Sequence, residues 1–254
     1  MYTIALANQK GGVAKTTSTY NLAACLTQAG KRVLMVDLDP QSSLSISVGL
    51  TPGRAPYSVC DLLGKRGCDP YQCGYPVEKA GASRLYIVPS DISLAEVEQS
   101  LLGRTARERL LKKQLDVFRM QDAFDYVLID CPPQLGVLTA NALAAADAVV
   151  VPTKAEYLAY RGVRALKNTV ETIRDELNAG LAWKGFIITM YERNVRDQRD
   201  LLEQFAREGP ILGVVKKSAD AYRGILTGRP VVLSSPKSDV SIEYRRIAEK
   251  ILNL

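Results

Sequence analysis

The segment that covers residues 3–29 constrains the fold more than any other part of the chain. It begins with a short apolar run, continues with two lysines that flank two glycines, and ends with the periodicity of a helix. Glycine-permitted turns at a helix start direct backbone N–H groups at phosphate oxygens, a lysine adds positive charge, and a Ser or Thr hydroxyl can ligate magnesium. Lys15 and Thr16 suit the last two roles. The segment therefore predicts a phosphate-binding strand, loop and helix, although Gln9 and Ala14 occupy the glycine positions of the general GxxxxGK(S/T) pattern.

Short apolar runs and helical segments alternate along the rest of the chain. Further runs of strand length lie at residues 33–36, 85–88, 126–129, 148–151 and 185–190. Helix candidates lie at residues 105–120, 137–145, 157–177, 199–208 and 241–252. This alternation is typical of a sheet whose faces are both covered by helices. We therefore expect one α/β domain over residues 1–254, with a mostly parallel twisted sheet that binds its ligand at the carboxyl ends of the strands. The irregular stretch at residues 52–81 is expected to be a surface excursion with a short helix near 58–63.

Composition excludes several kinds of protein. The chain has no apolar stretch near the roughly 20 residues of a membrane span and no signal-peptide pattern, so we expect it to be cytoplasmic. It has no histidine, which excludes Ser–His triads and histidine metal sites. The five cysteines are an odd number and favour reduced thiols, although a metal clip at Cys60, Cys68 and Cys73 is conceivable. A net charge of +6 permits a nucleic-acid partner without requiring one.

Carboxylates follow two of the predicted strands. The run at 33–36 leads into DLDPQ, which contains Asp37 and Asp39, and the run at 126–129 leads into DCPP, which begins with Asp130. Because parallel strands end at the same edge of a sheet, these carboxylates should lie near the phosphate loop, where they could hold magnesium and polarise water. Asp37 or Asp39 could instead cap the Ser-rich turn that follows, and Asp130 could merely end a strand.

Together these motifs resemble those of the ParA/MinD family of P-loop ATPases. Residues 10–17, KGGVAKTT, are similar to the deviant Walker A motif of that family, KGGxGK(S/T)(S/T). DLDPQ is similar to its second motif, and DCPP to the DxPP that follows its Walker B strand. The resemblance extends from residue 3 to about residue 190 and more loosely beyond it. Ala14 replaces the usual second glycine, which costs little if its φ is negative and about 1 kcal/mol if φ is positive. We expect Ala14 to be tolerated.

The resemblance implies slow, Mg²⁺-dependent hydrolysis of ATP and assigns roles to individual residues. The nucleotide would contact Met190 and the whole loop, which consists of Lys10, Gly11, Gly12, Val13, Ala14, Lys15, Thr16 and Thr17. Magnesium would be held by Thr16, Asp39 and Asp130. Lys15 would act within its own subunit, Lys10 would reach the phosphates of a second subunit, and Asp39 would position the attacking water. ATP would thus favour a homodimer, and hydrolysis would dissolve it.

The resemblance also implies that the dimer binds DNA without sequence specificity. The candidate phosphate contacts are Arg193, Arg196, Arg199, Lys216, Lys217 and Arg223. Acidic neighbours such as Asp197 and Asp220 leave open that these are scattered surface charges. We expect a nucleoid-associated protein with a ParB-like or other cargo-adaptor partner. We expect no membrane contact, because the last helix lacks an aromatic-rich amphipathic tail.

Two other functions are compatible with a deviant phosphate loop. An iron–sulfur reductase of the nitrogenase iron-protein type needs cysteines that bridge a [4Fe–4S] cluster. Cys131 follows Asp130, but the family normally has a small residue there, so a buried thiol is favoured. A MinD-like membrane-surface positioning ATPase would need the lipid-binding tail described above.

Overall fold

The continuous apolar runs form the central strands of an eight-stranded sheet. The computed structural model describes residues 1–64, 68–78 and 84–253, without the side chains at positions 196, 222, 223, 225 and 226. The strands are β1 Tyr2–Leu6, β2 Val33–Asp37, β3 Tyr75–Pro76, β4 Leu85–Val88, β5 Tyr126–Asp130, β6 Ala148–Lys154, β7 Ala182–Tyr191 and β8 Ile211–Lys216. Their order in the sheet is β3-β4-β2-β5-β1-β6-β7-β8.

All strand pairs are parallel except β3 with β4. The strand that leads into the phosphate loop, β1, lies between β5 and β6. The expected α/β architecture is confirmed. Two strands were not predicted. One is β8, and the other is β3, a two-residue edge strand that ties part of the 52–81 excursion to the sheet. Gly81, at the end of that excursion, lies outside the described residues.

Helices cover both faces of the sheet. They are α1 Lys15–Gln28, α2 Ser43–Ser47, α3 Val59–Gly64, α4 Leu94–Leu101, α5 Leu110–Met120, α6 Val137–Ala145, α7 Tyr157–Glu176, α8 Arg196–Glu208, α9 Ala219–Thr227, α10 Val231–Ser234 and α11 Asp239–Leu252. The prediction of a helix from residue 105 was wrong by one turn, because Arg107–Arg109 form a separate 3₁₀ turn before α5. No helix among the described residues is long and apolar enough to cross a membrane.

Alternate residues of each central strand enter two different cores. In β1, Ala5 belongs to the cluster that α5, α6 and α7 cover, whereas Ile4 and Leu6 belong to the cluster that α1 and α11 cover. All three side chains are fully buried. Because strands buried on both faces have no polar face, their sequence is uniformly apolar rather than alternating. This burial fixes the position of β1 and of the loop that follows its carboxyl end.

Candidate functional site

The phosphate loop joins β1 to α1 at the carboxyl edge of the sheet. Two of its residues, Gly12 and Ala14, have left-handed backbone conformations, with φ of 67° and 60°. Added Cβ atoms at Gly11 and Gly12 would have no atom within 4 Å, so this side of the loop is open. Of the two backbone conformations that the sequence allowed at Ala14, the structure has the strained one with positive φ, which costs about 1–2 kcal/mol.

The side chains of Asn8 and Thr189 fix the loop by hydrogen bonds. The side-chain amide of Asn8 donates to the Pro152 carbonyl at 2.7 Å, and its oxygen accepts from the Lys10 N–H at 3.0 Å. The Thr189 hydroxyl donates to the Val13 carbonyl at 3.1 Å. The loop is therefore anchored to β6 and β7, the two strands on one side of β1.

The two lysines of the loop lie in different environments. Lys15 is only 7% exposed, and its ammonium donates to the Lys10 carbonyl at 3.3 Å. Burial lowers the pKa of Lys15, and the nearby Asp130 acts in the opposite direction. The Lys10 ammonium instead forms an ion pair with Glu156, and the two side chains are 34% and 44% exposed. This hydrogen bond lowers the pKa of Glu156. One lysine is thus inside the loop and the other is at its rim.

Glu156 is a residue that the sequence analysis did not assign to the site. It is the N-cap residue of α7, two positions after the end of β6, and it also lies 3.9 Å from the Lys154 ammonium. Its contact with Lys10 spans 146 residues of sequence. The only local signal is a carboxylate that follows a buried strand, and it becomes informative once β6 is known to lie next to β1.

Asp37 and Asp130 lie side by side at the ends of β2 and β5. One oxygen of Asp37 accepts from the Ser45 N–H at 2.8 Å and from its hydroxyl at 2.7 Å, and the other accepts from the Asp39 N–H at 3.2 Å. Burial raises the pKa of Asp37 to about 6. Asp37 therefore satisfies an N–H group in the first turn of α2, which agrees with the helix-capping alternative for this residue.

Asp130 has the features of a metal ligand. It is 1% exposed, one carboxylate oxygen accepts weakly from the Thr19 hydroxyl at 3.4 Å, and its other oxygen has no hydrogen-bond partner. Burial raises the pKa of Asp130 to about 8, with a further contribution from Asp37 and an opposing one from the Lys15 ammonium. A buried carboxylate oxygen without a partner beside a threonine hydroxyl fits a hard cation such as Mg²⁺, which prefers oxygen ligands.

A cleft of about 520 Å³ opens above the loop, and we call it the phosphate cleft. It is lined by residues 11–17, by Asp39 and Gln41 from the DLDPQ segment, by the α2 side of the site, and by Pro133 and Met190. An oxygen of Asp39 accepts from the Gln41 N–H at 2.9 Å, which directs the carboxylate along the rim. The structure thus brings together the predicted residues 11–17, Asp39 and Met190 around one open space, whereas Lys10 and Asp130 do not line it.

A second cavity of about 170 Å³, the side cavity, adjoins the phosphate cleft. Ala14, Thr17 and Met190 line both spaces, and the side cavity continues to Lys216 and Lys217 at the end of β8. Its wall also contains the apolar side chains of residues 215 and 240. A partly apolar wall with a few polar groups is typical of small-molecule sites. The sequence left the base-contacting residues unassigned.

The predicted DNA-binding residues lie at the carboxyl edge of β7 and β8 and beyond it. Lys216 pairs with Asp239 at 2.6 Å and Lys217 pairs with Glu192 at 3.1 Å, so both lysines are engaged by carboxylates beside the side cavity. The Lys217 N–H donates to the Tyr191 carbonyl at 3.2 Å, which joins the two strand ends.

The arginine candidates are only partly described. Arg193 and Arg199 are exposed, and the Arg199 guanidinium donates to the Arg193 carbonyl at 3.1 and 3.2 Å. The side chains of Arg196 and Arg223 lie outside the described residues, although their positions in α8 and α9 are given. The candidates with described side chains are thus two exposed arginines near the start of α8 and two lysines at the side cavity.

Cys131 is buried directly after β5. It is 1% exposed, its thiol lies 3.9 Å from the Ile129 carbonyl, and burial raises its pKa. A cluster-bridging cysteine must reach the surface between two subunits, and this side chain is packed inside the core.

Comparison with known proteins agrees with this geometry. Residues 1–183 match the model of the AAA_31 family, described as an AAA domain. The sporulation initiation inhibitor protein Soj of Bacillus subtilis is 34% identical over 251 residues, which cover 98% of this chain and 97% of Soj. The chromosome partitioning protein ParA of Caulobacter vibrioides is 36% identical over 262 residues, which cover 98% of this chain and 93% of that protein.

A solved structure matches the whole fold. It is the cobyrinic acid a,c-diamide synthase of Mycobacterium smegmatis with a bound ATP analogue and magnesium, which superposes with a TM-score of 0.83 at 36% identity. The match covers 100% of this chain and 95% of that one. The same architecture thus holds an ATP analogue and magnesium in a protein of similar sequence.

Proposed function

The chain belongs to the ParA/Soj family of chromosome-partitioning P-loop ATPases, and from this premise we propose that it is a Mg²⁺-dependent ATPase that dimerises with ATP on nonspecific DNA. In this proposal it segregates or positions a cargo, which is a plasmid, a chromosome or an organelle-like body. A ParB-like or other adaptor protein stimulates its slow hydrolysis.

The residues in and around the phosphate cleft have different roles in the binding and hydrolysis of ATP. The backbone N–H groups of residues 11–17 and the ammonium of Lys15 bind the phosphates. Thr16 and Asp130 would hold magnesium with Asp39, where the ion would supply positive charge to the phosphate oxygens. Asp39, at the rim, orients the attacking water. The side cavity takes the adenine base.

The observation that carries the proposal is the separation of the two loop lysines. Lys15 is buried where it can serve its own nucleotide, whereas Lys10 lies at the rim and is held by Glu156. An exposed ion pair of this kind contributes only about 0–1 kcal/mol, so Lys10 can leave it at low cost. A rim lysine that is easily released can deliver positive charge to phosphates bound by a second subunit, as an arginine finger does.

Binding to nonspecific duplex DNA, with ATP, ADP or no nucleotide and at two salt concentrations, tests the proposal. Oligomeric state is measured in the same samples by light scattering. Wild type is compared with Lys10→Ala and Lys15→Gln, and exposed Lys113→Ala on α5 serves as a control for the loss of one positive charge. We expect salt-sensitive DNA binding and dimers with ATP only, in wild type and the control but in neither loop variant.

Two outcomes would contradict parts of the proposal. DNA binding that is equally strong without nucleotide would show that ATP does not control it. An ATP-dependent dimer that ignores DNA would direct attention to a membrane surface or a protein scaffold as the partner, which co-sedimentation with anionic vesicles would distinguish.

We assign part of the DNA contact to Arg193 and Arg199. They support the proposal because both are exposed at the start of α8. Each arginine that contacts a phosphate should lower the slope of log affinity against log salt by about 1 when replaced by alanine, at all DNA sequences equally. Lys216 and Lys217 are less suitable for this test, because they line the side cavity and their replacement would change nucleotide binding as well.

A further inference from the structure

Two cysteines of the 52–81 excursion face each other. The sulfur atoms of Cys68 and Cys73 are 3.5 Å apart. Cys73 ends a 3₁₀ turn, Pro70–Cys73, whose N-cap residue Asp69 accepts from the Tyr71 N–H at 3.0 Å. The two thiols also converge on one acceptor, the Asp69 carbonyl, at 3.8 and 4.0 Å. A hydrogen-bonded turn of the backbone therefore holds the two sulfurs in contact.

The two sulfurs are near enough to form a disulfide after a small movement. A disulfide bond is about 2.0 Å long, so the two atoms must approach by roughly 1.5 Å, which side-chain rotation and a small shift of the turn can supply. Among the described residues, no other pair of cysteine sulfurs is in hydrogen-bonding contact. The juxtaposition is specific to this turn.

The two thiols differ in exposure, and this sets the order of reaction. Cys68 is half-buried, whereas Cys73 is fully buried and belongs to the core. Burial is also the largest cause of the raised pKa of Cys73. A dissolved reagent therefore meets Cys68 first, and Cys73 can react only with a sulfur that Cys68 brings to it.

We propose that Cys68 and Cys73 are a reversible dithiol–disulfide couple that low-molecular-weight disulfides oxidise. The Cys68 thiolate attacks one sulfur of the small disulfide, forms a mixed disulfide and releases one small thiol. Cys73 then loses its proton, attacks the Cys68 sulfur and releases the second small thiol. Two protein thiols and one small disulfide become one protein disulfide and two small thiols, so atoms and electrons balance.

The position of the turn makes the couple independent of the proposed ATPase chemistry. The Tyr71 hydroxyl is 2.8 Å from the Gln121 side chain after α5, and its ring packs edge-on against Phe118. This contact lies near the amino end of β5, at the edge of the sheet opposite the phosphate loop. Oxidation therefore closes a small ring remote from the phosphate cleft, and nucleotide affinity should stay unchanged.

The test counts free thiols in the full-length protein equilibrated with reduced and oxidised glutathione at graded ratios. Samples are acid-quenched, denatured and labelled with a maleimide mass tag. The reduced chain has five cysteines and should take five tags. The oxidised chain should take three, with a peptide link between positions 68 and 73 that dithiothreitol reverses. The Cys60→Ser control should take four tags when reduced and two when oxidised.

Single variants distinguish an ordered exchange from unspecific oxidation. Cys73→Ser should accumulate a glutathione adduct at Cys68, because the resolving thiol is missing. Cys68→Ser should take four tags at every ratio and carry no adduct at Cys73; because Cys68 is outside the core, this variant also keeps the test informative if Cys73→Ser folds poorly. Five tags at the most oxidising ratio, or a link to Cys60, would overturn the proposal.

Discussion

Ala14 carries a backbone conformation that glycine adopts more easily. Its φ is 60°, which costs a residue with a Cβ about 1–2 kcal/mol, whereas the extra freedom of an unfolded glycine costs about 0.4–1 kcal/mol. We therefore predict that Ala14→Gly stabilises the protein by about 0.5–1 kcal/mol in equilibrium urea unfolding. The matched control is Ala29→Gly, because Ala29 is an exposed residue at the other end of α1 with a φ of −78°. If both variants lose stability equally, Ala14 is not strained.

The buried carboxylate of Asp130 should lower the stability of the folded protein while it serves as a magnesium ligand. Its pKa is raised to about 8, far above its ordinary value of 3.8, so the charged form is disfavoured in the folded state. Stability is therefore lost as the pH rises from about 4 to about 8. We predict that Asp130→Asn raises the free energy of unfolding, measured in urea at pH 8, by at least about 1 kcal/mol. This gain should vanish near pH 4, where the wild-type carboxyl group is protonated in both states.

Activity supplies the second half of the Asp130 prediction. The same substitution should abolish magnesium-dependent ATP hydrolysis, because an amide oxygen is a weaker ligand than a carboxylate. If the variant is no more stable than wild type at pH 8, another group must stabilise the charged Asp130 carboxylate in the nucleotide-free protein. A variant that keeps its activity would remove Asp130 from the magnesium site.

At the scale of elements, α2 depends on one network of buried polar groups. A five-residue helix is unstable by itself, and here Ser45 donates twice to Asp37 while its hydroxyl accepts from the Ser90 N–H at 2.9 Å. We predict that Ser45→Ala costs about 1–3 kcal/mol at pH 8. The Asp37 pKa of about 6 sets the pH dependence. The Ser45 hydroxyl stabilises the charged carboxylate of Asp37, so its removal raises the Asp37 pKa further. The substitution should therefore cost less stability at pH 5, where Asp37 is mostly protonated.

Ser47→Ala is the control for this network. Ser47 lies in the same helix, but its hydroxyl donates at 2.7 Å to the Ser43 carbonyl within α2. The control should lose less than about 0.5 kcal/mol at either pH. Urea unfolding at pH 5 and pH 8 gives the loss of stability for each of the two variants. If the loss for Ser45→Ala is the same at both pH values, Asp37 does not titrate in this range.

The elements that the sequence predicted well are those whose pattern is set locally. The helix predicted at 157–177 is α7, Tyr157–Glu176, because its apolar residues recur along one face over 20 residues. The two-residue β3 and the four-residue α10 are too short to show a periodicity. Motif spacing located the phosphate loop and Asp130 for the same local reason. Glu156 and the side cavity depend on which strands become neighbours, and no local pattern encodes that.

At the scale of the whole molecule, the Lys10–Glu156 ion pair links the loop to α7 and opposes the proposed dimer. If Lys10 must leave Glu156 to reach the nucleotide of a second subunit, the free energy of the pair is subtracted from the free energy of dimerisation. Both side chains are over a third exposed, so the pair contributes no more than about 1 kcal/mol. Because each dimer breaks two such pairs, one per subunit, we predict that Glu156→Gln tightens the ATP-dependent dimer by up to about thirtyfold, a factor that corresponds to about 2 kcal/mol.

Sedimentation equilibrium with a non-hydrolysable ATP analogue, at low and high salt, measures this effect. The difference between the two dimerisation constants should shrink at high salt, because screening weakens the exposed pair in wild type. The free subunit loses the same pair, so its free energy of unfolding should fall by no more than about 1 kcal/mol. Glu108→Gln breaks a comparable pair with Arg107, neither residue of which lines the phosphate cleft, and should leave dimerisation unchanged. A weaker dimer in Glu156→Gln would mean instead that Glu156 holds Lys10 in the orientation that the second subunit needs.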